Sequence, residues 1–292
     1  MTVASEAPQS QFPSTGPVSP VRIPPRPFLK WAGGKTGLLE ELQKRTPQSY
    51  GTYFEPFLGG GAFFFSLLPT NAVLSDIGGE LVNCFLTVRN NVEELITELQ
   101  THKHTKKHFY NLRQLDRRAD YWLRTPVEKA SRFIFLNKTC FNGLYRVNSR
   151  GEFNVPFGSY KNPKIFDADN LRACSRALNR AQISKRSFEA VLDNATSGDF
   201  VYFDPPYVPL NETSNFTSYA EDGFSLERQA KLADVCAELD RKGVKFMLSN
   251  SHTEFVLEAY RKFRVDTVYA SRAINSVAAN RGKVAEVVVT NY

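Results

Sequence analysis

Short apolar strand patterns and helical patterns alternate along most of this chain, and no other feature narrows its fold as much. Strand patterns occupy Gly51 to Phe57, Ala72 to Ile77, Gln182 to Phe188, Phe200 to Asp204, Lys245 to Asn250, Arg264 to Ala270 and Glu286 to Asn291. Helical patterns fall at Thr36 to Arg45, near Ala62 to Leu68, from about Glu80, at Leu226 to Arg241 and at Thr253 to Tyr260. This alternation predicts an α/β fold, a mainly parallel sheet with helices on both faces. Ligands of such sheets bind at the carboxyl ends of strands, so the residues just beyond each strand hold the most information about function.

From about residue 92 to 180 the rhythm stops. This block is mostly helical and centred on a glycine- and asparagine-rich segment. It also carries the charge. Residues 101–164 hold fourteen Lys or Arg against four Asp or Glu, a net +10, while the remainder sums to −3 and the whole chain to +7. A basic excess gathered in one block is compatible with a nucleic-acid partner. The expected organisation is one domain made from 28–91 and 181–292, interrupted by an inserted domain at 92–180. Residues 1–27 hold seven of the sixteen prolines and almost no charge. Such a composition cannot bury a core, so a disordered Pro-rich arm is expected, with order beginning near Phe28.

Several classes are excluded. No run of about 18 apolar residues exists, so no membrane span is expected. The first thirty residues lack the apolar stretch of a secretory signal, and a cytoplasmic location follows as the expectation. Cys84, Cys140, Cys174 and Cys236 are far apart and form no CxxC. That spacing suggests neither a zinc ribbon nor a disulfide framework. No metal is expected. The one histidine cluster, His102-Lys103-His104-Thr105-Lys106-Lys107-His108, interleaves lysines that would repel a cation, and reads instead as a solvated loop facing phosphate. Arg113, Arg117, Arg118 and Arg124 read as a mixture of phosphate contacts and solubility.

Three motifs lie at strand ends. Phe54-Glu55-Pro56-Phe57-Leu58-Gly59-Gly60-Gly61 follows a strand and opens a helix, and its glycines let backbone approach a ligand closely. Asp76, at the end of the next strand, stands where an acid accepts hydrogen bonds from ribose hydroxyls. The turn is not GxGxxG, which points to a nucleoside with a small tail and away from a dinucleotide. Phe28-Leu29-Lys30-Trp31-Ala32-Gly33-Gly34-Lys35-Thr36 is not a P-loop, because Leu29 stands where that motif requires its first glycine. Lys35, at a helix start, suits a carboxylate partner, and Trp31 suits an aromatic one. Phe200-Val201-Tyr202-Phe203-Asp204-Pro205-Pro206-Tyr207 is the most informative stretch. The prolines stiffen the backbone and remove N–H donors while keeping their carbonyls. Asp204 and the Pro205 carbonyl can therefore converge as two acceptors on one planar amino group, with Tyr207 stacked on the ring that bears it.

Together these pieces resemble the DNA adenine-N6 methyltransferases of the Dam family. The likeness spans roughly residues 28–292. It rests on FLKWAGGK at 28–35, FEPFLGGG at 54–61, the acid of LSDI at 74–77, NGLYRVNSRGEFNVPFGSYKNP at 142–163 and DPPY at 204–207. The resemblance implies a Rossmann-like sheet and S-adenosylmethionine as methyl donor. It makes the block at 92–180 a target-recognition domain acting on double-stranded DNA. It further implies Trp31, Lys35, Phe57, Gly59, Gly61, Asp76 and Asp204 as cofactor-binding residues. Asp204, Pro205 and Tyr207 would hold the target adenine. Lys30, Phe141, Asn142, Leu144, Arg146 and Pro156 would contact DNA, with GATC as the sequence read. Phe141 stands where relatives often carry tyrosine, which retains an aromatic wedge and loses a hydroxyl. Arg146 suits a guanine edge, Pro156 a thymine methyl, and Asn148 to Gly151 a hairpin turn. Asn211 to Phe224, polar with embedded aromatics, reads either as a lid or as an ordinary surface loop. A monomer is expected in solution, and a cognate restriction nuclease is a candidate partner.

Cytosine-C5 methylation is disfavoured, because Asn83, Thr139, Ala173 and Val235 precede the four cysteines where that chemistry usually has proline. An RNA or other amino-group methyltransferase with the same tetrad is the alternative enzyme. A catalytically idle DNA-binding regulator is the alternative outside enzymes. The intact tetrad and glycine turn argue against the idle regulator.

Overall fold

The computed structural model of the chain describes residues 23–210, 224–271 and 283–292. Most of the expected arm, residues 1–22, and all but the last residue of the segment Asn211 to Phe224, read as a lid or a surface loop, lie outside the described residues. Seven strands form one sheet: β1 (Tyr53–Glu55), β2 (Ala72–Asp76), β3 (Ala181–Lys185), β4 (Phe200–Phe203), β5 (Lys245–Ser251), β6 (Arg264–Ser271) and β7 (Lys283–Thr290). Their order is β3-β2-β1-β4-β5-β7-β6. The first five strands pair in parallel, and β7 runs antiparallel between β5 and β6. Strand order therefore reverses direction between β1 and β4, which makes the crevice beyond their carboxyl ends the expected ligand position.

The helices among the described residues are α1 (Leu39–Arg45), α2 (Ala62–Leu67), α3 (Gly79–Asn90), α4 (Val92–Gln100), α5 (Lys106–Arg113), α6 (Pro126–Thr139), α7 (Ala168–Leu178), α8 (Val191–Asn194), α9 (Leu226–Arg241) and α10 (Glu254–Ala259). The sequence reading of one helix from Thr36 to Arg45 is corrected: Lys35–Gly37 is a separate 3-10 turn ahead of α1. Gly37 ends that turn, and glycine in a helix interior would carry an extra entropic cost.

Two cores cover the sheet. Strand β4 is buried throughout, and its side chains alternate between them with the period of two that a strand imposes. Phe200 and Tyr202 join a cluster with Leu42 of α1, Phe63 and Phe64 of α2, Phe85 of α3 and Leu171 of α7. Val201 and Phe203 join the other, with Val191 of α8, Leu232 and Val235 of α9 and Val256 of α10. Burial on both faces explains why β4 reads as an unbroken apolar run.

The basic block is tied into the first core. Phe133 and Ile134 of α6, Leu95 of α4 and Leu171 of α7 pack with the residues of α3. A smaller cluster belongs to the block itself: Phe109, Phe135, Leu136, Cys140, Phe153 and Val155. Helix α6 starts sharply, with Pro126 at its first position and a capping box between Thr125 and Glu128. The expected hairpin is present in minimal form, as single bridges between Val147 and Phe153 and between Cys140 and Phe157. The backbone of Arg26, within the expected arm, is hydrogen-bonded in both directions by the Asn170 side chain, so α7 holds the chain before Phe28.

The histidine segment departs from the solvated loop expected of it. His102 and His108 share a ring-nitrogen hydrogen bond at 3.0 Å, and His102 pairs with the Ser131 hydroxyl of α6 at 2.8 Å. Both rings pack on Phe135, and His104 lies against Phe157. The segment docks α5 on α6, with its lysines on the outside. Among the described residues no group of three or more His, Cys, Asp or Glu is placed to hold a metal, and no helix is long and apolar enough to cross a membrane.

Candidate active site

Asp204 stands one residue beyond β4, at the reversal point of the sheet. Its Oδ1 meets the Lys35 ammonium at 2.7 Å and the Ser249 hydroxyl at 3.2 Å. Burial pushes the carboxyl above its ordinary range, and the ammonium and hydroxyl oppose that rise. Lys35 is itself only 6% exposed. It also donates to the Gly33 carbonyl at 2.8 Å and lies 4.4 Å from the centre of the Tyr207 ring. That ring is fixed at its far end, where the hydroxyl donates to Glu286 of β7 at 2.8 Å. The structure thus brings Lys35, Asp204 and Tyr207 into contact.

The backbone after Asp204 is held by groups distant in sequence. Gln229 of α9 donates to the Pro206 carbonyl at 2.7 Å, and Asn250 of β5 accepts from the Val208 N–H at 3.1 Å. Asn250 also donates to Gln229 at 3.1 Å, and the Ser251 hydroxyl bonds the Val208 carbonyl. Gln229 and Asn250 are buried, so the lost hydration of their amides is compensated by these bonds. Two acceptors are left without a donor among the described residues, Asp204 Oδ2 and the Pro205 carbonyl.

The glycine turn lies beside them. Gly59 and Gly61 have φ of +47° and +66°, in the left-handed region. A Cβ on Gly59 would lie 2.8 Å from the Trp31 indole, so glycine is required for this approach. Asp76 accepts from the Gly59 N–H at 3.1 Å and the Gly78 N–H at 2.9 Å, one bond to each oxygen. Each carboxylate oxygen keeps a second lone pair. Burial raises the Asp76 carboxyl against the pull of those N–H groups. The Phe57 ring turns into an aromatic cluster, stacking on Phe188 with centroids 5.3 Å apart and meeting Phe203 and Phe224 edge-on.

The six residues expected on DNA form one neighbouring, largely exposed stretch. Phe141 is 51% exposed, and its N–H donates to the Pro156 carbonyl at 2.9 Å. Asn142 and Gly143 both adopt positive φ, which turns the chain sharply between Phe141 and Leu144. Arg146 is exposed, and among the described residues its side chain bonds through Nε alone, to Asn154 at 2.9 Å. Lys30 lies over the Tyr160 ring at 3.8 Å. Lys138, half-buried beside Lys30, is held down to about 8 by burial first and by the neighbouring ammonium second.

Sequence reasoning misses Ser249, Glu286, Glu55 and Asn137. Glu55 is fully buried at the end of β1, where it accepts from the Tyr53 hydroxyl at 2.7 Å. Burial pushes its carboxyl up to about 8. An acid closing an otherwise aromatic strand is the one local signal it offers.

Residues 31–274 match the family described as D12 class N6 adenine-specific DNA methyltransferase. The chain is similar along its length to a protein from Lactococcus lactis subsp. cremoris named Type II methyltransferase M1.LlaDCHI. They are 46% identical over 271 residues, covering 91% of this chain and 95% of the relative. Type II methyltransferase M.MjaIII of Methanocaldococcus jannaschii is 42% identical over 290 residues, covering 91% and 99%. A DNA adenine methylase of Haemophilus influenzae is 35% identical over 270 residues, covering 90% and 92%. With a seven-stranded methyltransferase-like sheet, an Asp-Pro-Pro-Tyr tetrad at its switch point and relatives of this coverage, the chain belongs to the D12 class of N6 adenine-specific DNA methyltransferases.

Proposed function

We propose that this enzyme transfers a methyl group from S-adenosylmethionine to N6 of an adenine flipped out of duplex DNA, with GATC as its recognition sequence. One observation carries the chemistry. Asp204 Oδ2 and the Pro205 carbonyl are acceptors with no donor among the described residues, beside the fixed Tyr207 ring. The exocyclic amine of adenine is a weak nucleophile, because its lone pair is delocalised into the ring. Bonding both of its hydrogens to these acceptors favours a pyramidal nitrogen with a localised lone pair. Tyr207 stacks on the base and keeps that geometry, so the residues act by positioning and by charge stabilisation.

S-adenosylmethionine, when bound, supplies an electrophilic sulfonium methyl. The residues present fit it. Lys35 is a buried ammonium suited to the amino-acid carboxylate. Asp76 retains acceptor capacity for ribose hydroxyls. The turn from Phe57 to Gly61 offers backbone without side chains, and Trp31 borders it.

The block at 92–180 is the target-recognition domain in this reading. Base flipping costs a few kcal/mol, and exposed Phe141 fills the vacated space in the stack. Among the described residues the two terminal nitrogens of Arg146 have no partner, which suits a guanine edge, a contact worth about 1–3 kcal/mol of discrimination. Asn142, Leu144 and Pro156 line the same surface, and Lys30 reaches it from the cofactor side. The type II names of two relatives support a companion nuclease that cuts the same sequence.

Mapping of methylated adenines in unmethylated duplex DNA, after incubation with enzyme and methyl donor, tests the reading. Methylation confined to GATC is expected. Another adenine motif would retain the chemistry and overturn the specificity. Preferential methylation of RNA would overturn the substrate.

A further inference from the structure

We propose that Asn137 is the positioning residue that joins the recognition loop to the cofactor segment, so that DNA docked on the loop tightens binding of the methyl donor. Its side chain is fully buried on α6. The carboxamide makes three hydrogen bonds to two other segments. Oδ1 accepts from the Lys30 N–H at 2.8 Å. Nδ2 donates to the Lys30 carbonyl at 2.7 Å and to the Gly143 carbonyl at 3.1 Å. A carboxamide supplies one acceptor atom and two donor hydrogens side by side, which is the combination these three groups require.

Both clamped segments lead straight to a site. Five residues after Lys30 comes Lys35, whose ammonium is 2.7 Å from Asp204. Gly143 sits inside the exposed loop that carries Phe141, Asn142, Leu144 and Arg146. The two segments have no slack between them. A Cβ on Gly143 would lie 2.7 Å from the Lys30 Cβ, so only glycine permits the contact. Trp31 continues the same seam. Its indole stacks on Tyr145 of the loop, 5.9 Å between centroids and 18° between planes. The same indole closes on the glycine turn, where a Cβ on Gly59 would lie 2.8 Å from it. Close-packed groups transmit displacement because no void absorbs it. A loop fixed by DNA therefore fixes Trp31 and the turn, and the linkage is reciprocal by thermodynamic necessity.

This inference rests on the reading of the loop as DNA-binding and of Trp31 and Lys35 as cofactor-binding. Its test measures equilibrium binding of S-adenosylhomocysteine to the full-length enzyme, with and without a duplex carrying the adenine site that the wild type methylates. The wild type is expected to bind the analogue about tenfold more tightly with duplex present. Asn137→Ala is expected to keep each separate affinity within a few-fold and to lose most of that ratio. A merely structural role would weaken the separate affinities and leave the ratio intact, and an intact ratio overturns the proposal, as does a wild-type ratio of one. If the variant does not fold, hydrogen exchange on the wild type decides. Duplex without cofactor should protect residues 28–36 as well as 141–157, and protection of the loop alone overturns the proposal. A wild type that forms no N6-methyladenine in any duplex would instead contradict the functional reading itself.

Discussion

At Asp204 the surroundings set the conditions of the chemistry. In the proposed mechanism, accepting a hydrogen bond from the base requires the carboxylate, and burial raises the pH at which that carboxylate forms. Methyl transfer should therefore fall as pH drops through a value above the ordinary carboxylate range. Ser249 donates to the charged form and opposes that rise, so Ser249→Ala should move the acid limb of the pH–rate profile further upward. An unmoved limb would mean that Asp204 is not the titrating group. Asp204→Ala should abolish transfer while leaving DNA affinity within a few-fold, and near-normal turnover would sink the acceptor mechanism. Glu55 titrates in the folded state at about 8, against 4.5 ordinarily. The folded protein thus holds a proton that the unfolded chain releases. Its contribution to stability is fully present below about 4.5 and declines as pH rises towards 8. Glu55→Gln keeps an acceptor for Tyr53 and removes the titration, so denaturant melts should show that decline flattened by up to a few kcal/mol. Asp204 and Tyr207 are legible in the sequence because they interrupt an apolar run with prolines between them. Ser249, Asn250, Glu286 and Gln229 reach the same turn from β5, β7 and α9, and no local pattern marks a contact made across the sheet.

Elements are legible where local signals agree. Helix α9 is read to both ends because Ser225 caps it, accepting from the Arg228 N–H, and Gly243 at φ +71° follows it. The segment from His102 to His108 is misread because its composition is polar while its environment is not. The rings sit on Phe135, a residue of α6 that no local window connects to them. Burial first, and His108 second, hold the His102 imidazole down to about 4. The folded state favours the neutral ring. The docking of α5 is accordingly complete above the ordinary 6.5 and is lost as pH falls through 4. Thermal melts between pH 7 and 4.5 should show the wild type losing roughly 2 kcal/mol relative to His102→Gln. Equal losses in wild type and variant would place the acid sensitivity elsewhere.

Across the whole molecule, pairing decides which charges in the basic block remain for a polyanion. The four acids of residues 101–164 are all engaged: Asp116 with Arg117 and Arg132, Asp120 with Arg118, Glu128 with Arg124 and Glu152 with Arg117. Arg113 and Arg117 also donate to the Phe153 carbonyl. Several arginines that sequence alone leaves between phosphate contact and solubility thus brace the block, while Arg146 and Arg150 stay exposed on the hairpin. Each phosphate contact to duplex DNA contributes about −0.9 to the slope of log affinity against log salt. Arg150→Ala, at the hairpin tip, should make the slope shallower by about one and weaken every sequence alike. Arg118→Ala should leave the slope unchanged, because that guanidinium is already held by Asp120 at 2.9 Å. Arg146→Ala should relax sequence choice more than it lowers non-specific binding. Salt titrations of the three variants on specific and non-specific duplexes separate these outcomes. A uniform loss for Arg146→Ala would make it a phosphate anchor, and an altered slope for Arg118→Ala would show that its ion pair opens to meet DNA.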